Sequence, residues 1–178
     1  MSGSVKFSEA ARLYAEYSHV VDRMYKAFRQ SVEDFLDGLQ EEIRRLMAPA
    51  KLQERKGDRS RYWWLADNDQ DKDAYPQVWL DTRPATIVDP GELQLTAVAP
   101  RATPEQLPSL TSVRILPQIA NYSKPASGGP WSLFTLTVPC REGEPLENVA
   151  KPIVEVLLAL HIASHAGTSV PPSASPET

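Results

Sequence analysis

The sequence predicts an α+β domain: a long N-terminal helix, a mainly antiparallel sheet of about five strands, and a buried C-terminal helix, with both helices on one sheet face. Three observations predict it. None of the 16 prolines falls within residues 1–48. In that stretch apolar residues recur at every third or fourth position. From Ser60 onward the pattern changes to short runs rich in β-branched and aromatic residues, bounded by turn residues.

The first element runs Tyr14, Tyr17, Val21, Met24, Phe28, Val32, Phe35, Leu39, Ile43 and Leu46, the helical period sustained without a break. Ser8 is placed to cap the N-terminus, Glu9 suits the first turn, Glu41 and Arg45 form an i,i+4 pair, and Pro49 marks the stop. Gly38 follows Asp37, yet the apolar phase continues from Phe35 through Leu39 to Ile43, so one helix is expected. Consecutive gaps of four, at Phe28–Val32 and at Leu39–Ile43, depart from strict heptads over the whole length. They favour packing on a sheet or in a bundle over a long two-stranded supercoil.

Five strands are expected at Arg61–Ala66, Gln77–Thr82, Glu92–Val98, Leu110–Leu116 and Trp131–Val138. Leu93, Leu95 and Ala97 alternate with Glu92, Gln94 and Thr96, which predicts one buried and one wet sheet face. Most links are too short for a crossover helix, so a meander is the simplest topology. The last helix, rich in Val, Ile and Leu from Val149 to Ile162, should be the most buried. Pro152 in its first turn would favour a start nearer Asn148 than Pro145. Residues 1–168 are expected to form a single domain and 169–178 a disordered tail.

With 42% hydrophobic and 24% charged residues, the 178-residue chain excludes a wholly disordered, collagen-like or purely coiled-coil protein. Nineteen basic against 23 acidic side chains argue against a broad basic surface for phosphate backbones. Cys140 is the sole cysteine, and no apolar run is seen near the N-terminus, so a cytoplasmic location is expected. The apolar stretch Ile153–Ala166 is shorter than the ~18 residues of a membrane span and is expected in a protein core.

Several constellations bear on chemistry. Asp67, Asp69, Asp71 and Asp73 alternate as calcium ligands do, but the EF-hand positions for glycine and glutamate hold Lys72 and Val78, and a solvated hairpin tip is the expectation. Asp81 followed by Glu92-Leu93-Gln94 resembles, over three residues, the metal-binding acid and E-x-Q step of restriction-endonuclease-like nucleases. That resemblance implies a divalent ion activating water, without the usual lysine. His161 and His165 share a helix face without the glutamate or third ligand of a zinc site, and no metal or other cofactor is expected. Lys51, Arg55, Lys56, Arg59 and Arg61 precede Tyr62, Trp63 and Trp64, a basic and aromatic segment suited to single-stranded nucleic acid but diluted by Glu54 and Asp58. Cys140 lacks an activating motif. The glycine-containing loop at 117–130 is a candidate binding loop.

A helix from Ser8 to Met47 is about 60 Å long, roughly twice the breadth of a domain of this size. Its own sheet cannot cover all of the stripe, and an exposed apolar stripe marks an interface. The expected function is therefore a non-enzymatic protein-interaction, assembly or regulatory module. It would act as a homodimer or with another protein through Tyr14, Tyr17, Val21, Met24 and Phe28. The nuclease and the single-stranded nucleic-acid binder are the alternatives.

Overall fold

The computed structural model describes residues 8–48, 50–57, 60–66, 75–82, 87–88, 91–102, 106–113 and 131–166. The chain divides into two compact units, Met1–Asp37 and Gly38–Thr178. One continuous helix, α1 (Glu9–Met47), runs through the boundary between them. Ser8 starts it: the Ala11 amide donates to Ser8 Oγ at 3.2 Å, satisfying one of the N–H groups that a helix start leaves without a carbonyl. It ends two residues before Pro49, as the missing amide of proline requires.

The second unit holds the sheet. β1 (Leu52–Lys56), β2 (Ser60–Leu65), β3 (Gln77–Asp81), β4 (Glu92–Ala99) and β5 (Trp131–Pro139) lie in the order β1-β2-β3-β4-β5, each neighbouring pair antiparallel. This is the meander that the short links predict. The membership differs by one strand. Of the expected Leu110–Leu116 strand, Leu110 and Thr111 belong to a short helix, α2 (Leu107–Thr111), because Pro108 suits a helix start and Thr111 Oγ1 donates to the Leu107 carbonyl at 2.8 Å, and residues 114–116 lie outside the described residues. The fifth strand is β1, whose Leu-Gln-Glu-Arg-Lys carries too little apolar alternation to announce a strand.

Register decides what is buried. Leu52, Trp63, Val78, Leu80, Leu95, Ala97, Leu136 and Phe134 fall on one face through the pairs Leu52↔Leu65, Trp63↔Val78, Leu80↔Leu95 and Ala97↔Phe134. Between Ala97 and Val98 the register shifts, so β5 carries one extra residue, and Leu133 and Phe134 are both buried. The C-terminal helix, α3 (Leu146–Ala166), packs on β2, β3 and β5 through Val149, Ile153, Val156, Leu157 and Leu160. At about 1.5–3 kcal/mol for each fully buried side chain of this size, these residues supply much of the driving force for folding. α3 starts at Leu146, earlier than the preferred expectation, so Pro152 lies inside it and leaves the Asn148 carbonyl without its helical amide. Its composition also meets the length and hydropathy of a membrane span, but its buried side lies in the core of this unit.

The last turns of α1 belong to the same core. Leu39, Ile43 and Met47 are buried. Arg61, only 2% exposed on the inner face of β2, donates through Nη1 to Gln40 Oε1 at 2.6 Å. Gln40 Nε2 and Arg44 both donate to Glu54 on β1. The amide of Gln40 thus links a buried cation to a carboxylate, and both helices cover one sheet face. Arg45 bonds Glu42 at 2.6 Å and reaches Glu147 of α3 at 3.4 Å, while Glu41 pairs with Arg44. The expected Glu41–Arg45 pair is replaced by these i,i+3 partners.

Candidate functional site

The surface feature that stands out lies in the first unit. Leu13, Tyr14, Tyr17, Val21, Met24 and Tyr25 are exposed, Met24 at 68%, whereas Val32, Leu36, Leu39, Ile43 and Met47 are each at most 4% exposed. Phe28 is half-buried between the two series. The buried face runs through Leu36 and Met47, with the expected Phe35 and Leu46 half-buried beside it. Leu13 and Tyr25 join the exposed stripe at positions next to Tyr14 and Met24, where the periodic pattern alone does not choose them. Tyr14 Oη donates to Asp22 at 3.5 Å, and the Arg29 guanidinium stands 5.9 Å from the Tyr25 ring centre, so two of the tyrosines keep polar or charged company along the helix.

The outer sheet face holds the residues of the alternatives. Tyr62 and Trp79 meet edge-to-face at 5.0 Å, with Arg55 opposite Tyr62 on β1. Their polar tips have partners: Ser60 Oγ donates to Tyr62 Oη at 2.6 Å and Trp79 Nε1 to Gln77 Oε1 at 2.9 Å. Of the basic set, Lys51, Arg55 and Lys56 are exposed and Arg59 lies outside the described residues. Arg61, expected among the surface bases, is buried instead. It sits in the core, because its alternate partners in β2 face the wet side while it shares the inner face with Trp63. Trp63 and Trp64 are both buried, and no described residue accepts from Trp63 Nε1.

Alternation also puts Asp81, Glu92 and Gln94 on this outer face, since Leu80, Leu93 and Leu95 occupy the other. Among the described residues no cluster of three His, Cys, Asp or Glu side chains forms, so neither acid belongs to such a group there. His161 and His165 have ring centres 4.5 Å apart, and His165 Nδ1 donates to the His161 carbonyl at 2.7 Å, the contact expected of an imidazole at a helix C-terminus. Burial, reinforced by the charge of Glu92, pushes the Cys140 thiol up from its usual value, which keeps it from the reactive thiolate form. A hollow lined by Tyr75, Pro100, Arg101, Gln106 and Ser164 has a volume of about 10 Å³, the room of one water. The aspartates at 67–73 and the loop at 117–130 lie outside the described residues.

No protein family matches the chain, and neither a curated protein nor a solved structure is similar to it.

Proposed function

We propose that the protein is a non-enzymatic interaction module that assembles through the N-terminal part of α1. The observation that carries this reading is the run of large apolar side chains from Leu13 to Tyr25, exposed along one helix whose later turns bury their apolar face. Contiguous exposed apolar surface of this sort is costly in water and marks binding sites. The test is affinity capture from the native host with the wild-type chain and with Tyr17→Glu/Met24→Glu. A partner, whether another copy or another protein, should be retained by the wild type and lost by the variant at unchanged thermal stability. Retention that is indifferent to the variant overturns the proposal.

Single-stranded nucleic acid is the second reading, supported by Arg55 beside the Tyr62–Trp79 pair. Salt-sensitive retention on an oligonucleotide, abolished by Arg55→Glu, is its expected sign; a chain that does not bind at low salt removes it.

A further inference from the structure

The last turns of α3 carry two of the chain's three histidines, His161 and His165. Their spacing of four sets both imidazoles on one side of the helix, and the ring centres stand 4.5 Å apart with the planes tilted by 59°. His161 is half-buried and His165 exposed. A carbonyl oxygen only accepts, so the bond to the His161 carbonyl puts a proton on His165 Nδ1 and leaves the lone pair of the neutral ring on Nε2. Ser164 Oγ donates to the same carbonyl at 2.7 Å and lies 3.3 Å from His165 Nδ1, so the ring is held from two sides. A tautomer fixed by one nitrogen's bond to a carbonyl is the form in which an imidazole offers its other nitrogen to a metal.

The separation of the rings indicates which metal. With metal–nitrogen bonds of about 2.0 Å each ring centre stands about 3.2 Å from the ion, so two imidazoles at a right angle have centres about 4.5 Å apart and two at the tetrahedral angle about 5.2 Å. The observed 4.5 Å is the right-angled value. Right angles belong to the square-planar and tetragonal coordination of Cu2+ and Ni2+, and a given nitrogen site holds Cu2+ the more tightly of the two. Among the described residues no third His, Cys, Asp or Glu joins the pair. A closed tetrahedral zinc site draws all its ligands from protein, whereas a tetragonal ion completes its square with water.

We infer that His161 and His165 form an open, two-imidazole site for Cu2+ at the C-terminal end of α3, with His165 binding through Nε2. The inference is independent of the docking reading, because the exposed turns of α1 take no part in it.

The test adds Cu2+ alone to the untagged chain in a Cys140→Ser background, which removes the sole thiol. One equivalent should bind, and pulsed electron paramagnetic resonance should count two imidazoles on the ion. His161→Ala and His165→Ala should each leave one imidazole and weaken binding roughly tenfold or more, while His19→Ala changes neither reading. Cu2+ should raise the Tm of the wild type more than that of either variant, since an ion held only by the folded chain stabilises it. The imidazole count on the wild-type histidine set needs no variant at all, so a substitution that disturbs folding does not shield the proposal. A count of one or none, or an affinity indifferent to both substitutions, overturns the site. Zn2+ bound as tightly as Cu2+ overturns the choice of a right-angled ion.

Discussion

Two stretches of one helix look alike as amphipathic sequence and do different work. Residues 13–28 and 32–47 both place apolar side chains three or four apart, yet the first leaves Leu13, Tyr14, Tyr17, Val21, Met24 and Tyr25 exposed and the second buries Val32, Leu36, Leu39, Ile43 and Met47. They differ in chemistry as well as in cover. The exposed series is rich in tyrosine, whose hydroxyl tolerates water, whereas the buried series is wholly aliphatic or thioether. The lesson is that amphipathicity marks a face of a helix, while tertiary packing decides how far along the helix that face is covered.

The sharpest way to break this comparison is to substitute one residue in each stretch. Leu39→Ala should lower unfolding free energy by about 2–5 kcal/mol, because it empties a fully buried site. Tyr17→Ala, measured in urea at low protein concentration, should change it by less than about 0.5 kcal/mol. Equal losses would mean that the two stretches are covered alike.

The next effect is polar. Gln40→Leu removes the amide between Arg61 and Glu54 and should cost about 1–3 kcal/mol in the same denaturation assay. In an Arg61→Leu background the loss should be smaller, since the buried cation is gone.

Gly38 gives a smaller and more pointed test. A Cβ there would lie 3.1 Å from Leu146 Cδ1 of α3. Gly38→Ala should therefore forfeit the roughly 1 kcal/mol that alanine ordinarily gains over glycine in a helix. With Leu146→Ala in place the same change should become stabilising, a coupling that thermal unfolding of the four chains in the cycle reads directly.

The smallest effect is that of acid. The Arg45 hydrogen bond holds the Glu42 carboxyl below its usual 4.5, and the Lys151 hydrogen bond does the same for Glu147. Groups held low in the folded state contribute stability that is full above 4.5 and is lost as pH falls through the lowered folded value. The difference in Tm between wild type and Glu42→Gln should therefore shrink as pH is taken below 4.5.

Much of this architecture is legible in the sequence because periodicity is a strong signal over long elements. The proline-free run marks α1, and the alternation in β4 marks its two faces. β1 was illegible because an edge strand on the wet rim needs few apolar residues, and Glu54 is held by Gln40 and Arg44 from a distant part of the chain. Arg61 misled for a related reason: a basic residue in a basic segment reads as surface until the strand's alternation and its partner Gln40 are known. The stripe Tyr14 to Phe28 was visible as residues, but where cover begins depends on tertiary packing that a single period cannot report.

The meander has a consequence for the order in which the molecule is made. β1 to β4 each pair with a strand adjacent in sequence, so they can assemble as local hairpins while synthesis continues. Leu146, which lies against Gly38, and Glu147, which meets Arg45, belong to a helix made after all five strands. Until that helix arrives, α1 lacks its contacts at Gly38 and Arg45, and the nascent chain presents a longer uncovered edge than the finished one. Cover along the last turns of this long helix is thus completed late, by a segment made after every strand of the sheet.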